Sequence, residues 1–174
     1  MIVRDLDVLA EAARRAEVGV VFSVPTLDEE VWRRTEPGTP PPRRRLEALT
    51  KLVEAGVKAG VGMAPILPGI SDSAEQLERV VRAAREAGAT SVWANVLYLK
   101  PGTREHFLEA LARDWPEELD RYGRLYGSHA YLSKAQTEPV RRLVADVRRR
   151  HGIRDRRHVK LEPEPPVEQL VLAM

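Results

Sequence analysis

Three runs of almost uninterrupted apolar residues alternate along the chain with stretches of helical spacing. The runs cover residues 18–24, 57–67 and 91–99, and each ends in a loop that contains proline. Because they are nearly continuous in apolar residues, they predict parallel strands that are covered on both faces or that form the wall of a barrel. Helix followed by strand, repeated with short links, predicts right-handed crossover connections between the strands.

The stretches before these runs predict helices. Residues 4–16, 43–55 and 73–87 place apolar side chains three and four positions apart. The second and third stretches end in the same tripeptide, Glu-Ala-Gly, and glycine favours the left-handed backbone that stops a helix before a strand. Ser73 and Gln76 predict a capping box at the start of the third helix. No clear strand precedes the first helix, so the β/α pattern begins in its middle.

The pattern changes after Leu111. Asp114-Trp115-Pro116 breaks the helical spacing, and a basic amphipathic helix is predicted over residues 134–151.

Three strands are too few for a closed eight-stranded barrel. The fold class predicted is therefore α/β, a partial (β/α) barrel with parallel strands and a helical C-terminal extension. The predicted domains are the partial barrel at 1–111, the extension at 112–152, and a linker and tail at 153–174.

Composition and charge narrow the classes of function. Apolar residues make up 43% of the 174 residues, and 28 basic residues face 26 acidic ones, which is typical of a soluble globular chain with a balanced surface. No apolar run is long enough to cross a bilayer and no leader is recognisable, so we expect a cytoplasmic location and no membrane partner. Arginine clusters at 43–45, 148–150 and 156–157 are either solvated helix ends and loops or phosphate contacts.

The chain contains no cysteine. This excludes disulfides, thiolate nucleophiles, cysteine zinc sites and ordinary iron–sulfur ligation. The four histidines form no His-x-x-x-His pair, and neither a nucleophile elbow nor a phosphate-binding glycine loop is present. The sequence therefore assigns no catalytic residue and no metal ligand.

Hydroxyl, proline, glycine and arginine residues follow the three predicted strands. Ligands of parallel β/α sheets bind where the carboxyl ends of the strands and the following loops converge. Such a set suits a ligand with a carboxylate or phosphate, a ribose and a flat ring. Turn and capping chemistry explains each residue taken singly, whereas their recurrence at three consecutive strand ends favours a ligand site.

These strand ends carry a resemblance to a known family. Their motifs are Phe22-Ser23-Val24-Pro25-Thr26, Gly62-Met63-Ala64-Pro65-Ile66-Leu67-Pro68-Gly69 and Leu99-Lys100-Pro101-Gly102-Thr103. In order and spacing they resemble the fourth, fifth and sixth strands of radical S-adenosylmethionine (SAM) proteins of the spore-photoproduct-lyase-like, or DNA repair photolyase, branch. The resemblance extends over residues 2–150, because Val3-Arg4-Asp5-Leu6-Asp7 is similar to the end of the third strand and its helix.

The resemblance implies a set of SAM contacts. Ser23 and Arg45 correspond to the residues that contact the ribose and methionine ends of SAM. The adenine would be cradled by Ala64, Pro65, Ile66, Pro68 and Gly69, and by Leu97 and Tyr98 after the next strand. The family's Cys-x-x-x-Cys-x-x-Cys loop, which holds a [4Fe–4S] cluster, has no counterpart here. Weak SAM binding is therefore implied, and the cluster could be present only with an N-terminal segment.

The function expected is that of the C-terminal portion of a radical SAM protein, which is inactive alone. A truncated gene product, one half of a split protein and a remnant with another use remain open. The first strand would be an open edge, which predicts an N-terminal half as partner or self-association. The alternative is a non-enzymatic binding or interaction module for nucleic acid or protein, and the branch name suggests DNA. A phosphate enzyme of the TIM-barrel type is the least favoured interpretation, because no base or nucleophile is evident.

Overall fold

The computed structural model of the protein describes residues 2–153. The helices are α1 (Leu6–Arg15), α2 (Glu29–Thr35), α3 (Pro42–Glu54), α4 (Ala74–Glu86), α5 (Thr103–Asp114), α6 (Leu119–Tyr126) and α7 (Lys134–Arg150), with 3-10 turns at Ile2–Asp5 and Pro116–Glu118. The strands are β1 (Gly19–Ser23), β2 (Lys58–Ile66) and β3 (Ser91–Val96). Apart from Ile153, the predicted linker and tail lie outside the described residues.

The three strands form one parallel sheet in the order β1-β2-β3. Val21 lies opposite Gly60, and Gly62 lies opposite Trp93. The pairing of β2 with β3 is irregular between Met63 and Ile66, where the Ala64–Pro65 peptide bond is cis. The prediction of an α/β fold with parallel strands is confirmed, and within the described residues the sheet is open.

The predicted helix boundaries are confirmed where local chemistry sets them. Gly56 has a φ of 80°, and the amides of Gly56 and Val57 donate to the carbonyls of Val53 and Leu52, which closes α3 with a Schellman motif. At α4, the Ser73 hydroxyl accepts from the Gln76 amide while the Gln76 side chain accepts from the Ser73 amide, both at 3.2 Å. These contacts satisfy backbone groups that a helix end leaves free.

Helices cover one face of the sheet. Side chains alternate along a strand, and those of Ala59, Val61 and Met63 are fully buried against α3 and α4. Helix α7 joins the same core through Val144 and Val147. The predicted boundary at 111–112 falls inside α5, and the last helix of the predicted extension packs on β3 and α4.

The opposite face of the sheet is exposed along β1 in the described part of the chain, whereas Gly60, Gly62 and Ser91 on β2 and β3 are buried. In β1 exposure alternates, and Val21 on this side is 54% exposed although it is apolar. We call this surface the open face; it carries Val21 and Ser23 of β1, Gly60, Gly62 and Ala64 of β2, and Ser91 and Trp93 of β3. The apolar runs predicted either coverage of both faces or the wall of a barrel; in residues 2–153 the β1 side of this face is exposed, and the sheet does not form a barrel.

A second apolar cluster lies beyond the carboxyl ends of the strands. It contains Leu67, Leu97, Leu99, Leu111, Tyr122 and Tyr126, together with Val31 and Ile70. Helices α2, α5 and α6 contribute to it. None of the helices that the structure describes is long and apolar enough to span a bilayer.

Candidate functional site

A cleft of about 470 Å³ lies at the carboxyl ends of the three strands, which we call the strand-end cleft. Residues that follow each strand line it: Thr26 after β1, Leu67 after β2 and Leu97 after β3. Helices α2 and α5 form its two walls. The apolar lining residues are Pro25, Val31, Pro37, Pro65, Leu67, Leu97, Phe107, Ala110, Leu111 and Trp115.

Local chemistry fixes the wall that α2 forms. The Asp28 carboxylate caps the helix by accepting from the amides of Glu30 and Val31 at 2.9 and 3.0 Å. The amide of Asp28 donates in turn to the Thr26 hydroxyl oxygen at 3.0 Å. These bonds turn the chain sharply after β1 and direct the buried side chain of Val31 into the cleft.

The α5 wall begins at Gly102, whose φ of 84° turns the chain into the helix. Phe107 and Leu111 are four residues apart and therefore lie on the same face of α5, which is the face that lines the cleft. The two walls are tied together by Arg34, which donates to the Asp114 carbonyl at 2.6 Å and lies over the Trp115 ring at 5.3 Å.

The charged groups at the cleft rim are largely paired with each other. Arg113 donates to both carboxylate oxygens of Asp114, at 3.0 and 2.7 Å, and these bonds lower the pKa of the Asp114 carboxyl. Arg34 forms an ion pair with Glu30 on its own helix. The rim therefore offers few unpaired charges, and the interior is mainly apolar.

Two buried hydroxyl groups line this interior, and each can donate a further hydrogen bond. Thr26 is 3% exposed and Ser71 is 2% exposed. Each oxygen accepts one backbone bond, from Asp28 for Thr26 and from Leu67 for Ser71, the second at 2.9 Å. Because a hydroxyl also carries a proton, both can donate to an acceptor atom of a ligand in the cleft.

Arg45 does not line the cleft, but it forms hydrogen bonds and an ion pair with residues at the rim of the cleft. Its guanidinium donates to the carbonyls of Pro40 at 2.8 Å and Ser23 at 2.7 Å, and to the Thr39 hydroxyl at 2.7 Å. It also forms an ion pair with Glu36, a cleft residue, and its side chain is only 12% exposed. Arg45 thus connects α3, the end of β1 and the loop before α3.

The residues that the resemblance assigns to SAM fall into separate places. Pro65 and Leu97 line the strand-end cleft together. Ser23 and Ala64 meet on the open face, where the Ser23 hydroxyl donates to the Ala64 carbonyl at 2.9 Å. Ile66 is fully buried in the core.

The remaining predicted contacts lie away from the cleft. A Cβ atom on Gly69 would lie 1.8 Å from the Arg121 side chain of α6, although Gly69 itself is exposed, and Pro68 beside it is half-buried. Tyr98 stacks on Tyr131 with ring centroids 5.1 Å apart, and both are exposed beside a groove that Lys134 also lines. The structure therefore brings two of the nine predicted residues into the cleft. The SAM roles of all nine stay predictions.

The α5 wall of the cleft was not predicted from the sequence. The spacing of Phe107 and Leu111 indicates an amphipathic helix, but it does not indicate which partner that helix meets. Trp115 and Arg34 are 81 positions apart in sequence and meet only through the fold.

The arginine clusters are partly engaged in ion pairs. Arg44 pairs with Glu47, Arg149 with Asp146 and Arg150 with Glu78, at 3.3, 2.5 and 3.4 Å. Such exposed pairs contribute little stability, but they leave each guanidinium with an anionic neighbour. Nothing in these contacts points to phosphate binding, and a DNA partner stays a prediction. The cluster at 156–157 lies outside the described residues.

The residues present do not fit an iron–sulfur cluster. The chain has no cysteine, and in the described range no group of three or more His, Asp or Glu side chains could hold a metal ion. The strand-end cleft, in contrast, has the size and the lining of a site for a small organic ligand.

Comparison with other proteins finds relatives but no family. No family model matches the chain, and no solved structure matches it. Proteins named as uncharacterized from Mycobacterium tuberculosis and Mycobacterium bovis are 40% identical to it over 142 residues, which is 82% of this chain and 42% of theirs. An uncharacterized protein of Acidianus two-tailed virus is 34% identical over 114 residues, which is 64% of this chain and 37% of that protein. The chain thus spans about two fifths of the length of the mycobacterial relatives.

Proposed function

We propose that this chain is the SAM-binding portion of a radical SAM protein, with the strand-end cleft as its adenine pocket and the sheet as part of a partial (β/α) barrel. The observation that carries this proposal is the meeting of Pro65 and Leu97 in one cleft at the carboxyl end of a parallel sheet. The resemblance assigns both residues to the adenine end of SAM. Ligands of parallel sheets generally bind at this end.

The lining of the cleft supports an adenine ring. A volume of about 470 Å³ lies within the range of small-molecule pockets, roughly 300–1,000 Å³. Proline, leucine and phenylalanine side chains provide flat apolar contacts, and Thr26 and Ser71 provide donors for ring nitrogens. In this proposal Arg45 is a positioning residue, because it holds Glu36 and the β1 end rather than facing the cleft.

The chain does not supply the cluster that radical SAM chemistry requires, so no reaction step is assigned to it. Cleavage of SAM in that family draws its electron from a [4Fe–4S] cluster, and the ligands would have to come from another segment or chain. We therefore propose that the protein binds SAM weakly alone and is inactive without such a partner. The substrate of a complete assembly and a cytoplasmic location stay predictions.

Titration with S-adenosylhomocysteine, a stable analogue of SAM, tests the adenine pocket. Ala110 lines the cleft on α5, whereas Ala112 lies exposed on the same helix outside it. We expect binding with a Kd on the order of 1 mM, detected by NMR shifts of cleft residues. Ala110→Trp should abolish the shifts by filling the cleft, and Ala112→Trp should leave them unchanged.

Two results would refute the proposal that the strand-end cleft binds adenine. One is an absence of shifts in the wild type at saturating analogue, and the other is binding that survives Ala110→Trp in full. Circular dichroism of both variants controls for folding, since each adds one tryptophan to α5, at a cleft-lining position in one variant and at an exposed position in the other.

A further inference from the structure

The groove beside Tyr98 and Tyr131 is a second cavity, with a volume of about 550 Å³, and we call it the tyrosine groove. Its lining comes from three parts of the chain: residues 95–98 at the end of β3, residues 131–132, and the first two turns of α7. Leu97 is the one residue of this lining that also lines the strand-end cleft. The two cavities are therefore neighbours with almost entirely different linings.

The two tyrosines give the groove an exposed aromatic surface. The amide of Leu99 donates to the Ala130 carbonyl at 2.7 Å, which holds the segment after β3 against the loop that precedes α7. This contact brings the rings of Tyr98 and Tyr131 together at 5.1 Å, with 19° between their planes. The side chains nevertheless remain 45% and 58% exposed. A stacked pair that is open to solvent in this way offers a flat apolar surface to a further planar ring.

Two cations of α7, Lys134 and Arg141, line the same groove. Neither forms an ion pair within residues 2–153, and Arg141 instead donates to the neutral side-chain oxygen of Asn95 at 3.2 Å. The acidic residue between them on the helix, Glu138, forms an ion pair with Arg142 at 2.8 Å. That hydrogen bond lowers the pKa of the Glu138 carboxyl, with smaller contributions from Lys134 and Arg141. These five side chains leave an excess of two positive charges at the groove.

We infer that the tyrosine groove is a binding site for a small aromatic phosphate, in which the ring stacks on the tyrosine pair and the phosphate contacts Lys134 and Arg141. A planar guanidinium and an ammonium are the side-chain groups that bind phosphate most readily, and two of them match the charge of a dianion. The volume of the groove lies within the range of small-molecule sites. This inference does not rest on the proposed function, because the groove differs from the adenine pocket.

A strand of nucleic acid fits this groove less well than a small molecule does. Proteins that bind single strands combine stacking rings with a continuous series of cations that follow several phosphates. Beyond Arg141, the arginines Arg142 and Arg149 form ion pairs with Glu138 and Asp146 on the same helix. The cations that lack an acidic partner are therefore confined to the groove, where they suit a single phosphate group.

Titration with naphthyl phosphate, followed by NMR shifts of groove residues, tests the inference. We expect a Kd on the order of 0.1–1 mM, and binding at least about tenfold weaker for naphthol or inorganic phosphate alone. Tyr131→Ala and Arg141→Gln should each weaken binding by about tenfold or more. Tyr131→Phe keeps the ring, and Arg149→Gln removes the same charge from α7 outside the groove, so both should stay within about twofold of the wild type.

Three results would overturn the inference. The phosphate contact is refuted if naphthol binds as tightly as naphthyl phosphate, or if Arg141→Gln keeps full affinity. The location is refuted if Ala110→Trp, which fills the strand-end cleft, abolishes binding of naphthyl phosphate. A short oligothymidylate strand that binds more than about tenfold tighter than naphthyl phosphate, with the same dependence on Tyr131, would assign the groove to nucleic acid instead. Because S-adenosylhomocysteine is titrated separately, failure of this site and failure of the adenine pocket are distinguishable.

Discussion

At the scale of single residues, two buried tyrosines on α6 have opposite hydrogen-bonding states. The Tyr126 hydroxyl donates to the Leu97 carbonyl at 2.7 Å, directly behind the strand-end cleft. The Tyr122 hydroxyl is fully buried and has no partner among the described residues. A buried polar group without a hydrogen bond lowers stability, whereas a satisfied one is close to neutral or favourable.

This difference predicts opposite effects of removing each hydroxyl. Tyr126→Phe should lower the free energy of unfolding by about 1–2 kcal/mol, because it leaves the Leu97 carbonyl unpaired. Tyr122→Phe should leave stability unchanged or raise it. Urea unfolding measures the change in free energy of unfolding for each variant. Equal destabilisation by the two changes would contradict the assigned hydrogen-bonding states of the two hydroxyls.

The same pair gives a pH dependence. Burial raises the pKa of both Tyr122 and Tyr126, so each phenol holds its proton more tightly in the folded than in the unfolded state. Their contribution to stability is therefore complete below the unfolded pKa of about 10 and is lost as the pH rises above it. When urea unfolding is repeated at alkaline pH, the free energy of unfolding should decrease less in the two phenylalanine variants than in the wild type.

At the scale of elements, Arg45 joins α3 to β1 and to the loop that precedes the helix. Four hydrogen-bonding partners surround its guanidinium, and a single ammonium cannot reach all of them in the same geometry. The neighbouring Arg44 side chain, in contrast, is 73% exposed and, among the described residues, forms an ion pair with Glu47 only.

Substitution by lysine should distinguish these two arginines. Arg45→Lys is expected to lower the free energy of unfolding by about 1–3 kcal/mol and to weaken analogue binding, because Glu36 and the cleft rim lose their anchor. Arg44→Lys should change stability by less than about 0.5 kcal/mol. Thermal unfolding of both variants measures these two changes in stability. Similar small changes for both would show that the guanidinium of Arg45 does not hold the loop.

At the scale of the whole molecule, the amides on the two edges of β1 should differ in hydrogen exchange. The peptide groups of Val20 and Phe22 bond inward to β2, and those of Val21 and Ser23 point to the other edge of β1, which pairs with no strand among residues 2–153. For the chain alone we expect the Val21 and Ser23 amides to exchange at least about tenfold faster than their neighbours, a difference of about 1.4 kcal/mol. NMR-detected hydrogen exchange measures this directly, and slow exchange at Val21 would show that the edge is already paired.

The sequence alone determined the three strands, four of the described helices and some of their ends. Helical spacing located α1, α3, α4 and α7, and continuous apolar runs located the three strands, because these patterns reflect backbone geometry within a few residues. Gly56 and the Ser73 capping box were predictable for the same reason, since a cap involves only its own helix end. The carboxyl ends of the strands were likewise identifiable as the place to search for a site.

Only the tertiary structure decided which of those residues meet. The apolar run of β1 contained nothing to show that Val21 would be exposed while Val61 would be buried, because coverage depends on helices elsewhere in the chain. Arg45 matched a ligand-contact pattern, yet the fold surrounds it with Glu36, Thr39 and two carbonyls. The cleft itself forms between α2 and α5, whose contact joins Arg34 to Asp114 across 80 positions. Such long-range contacts follow from packing of the whole chain, which local spacing does not encode.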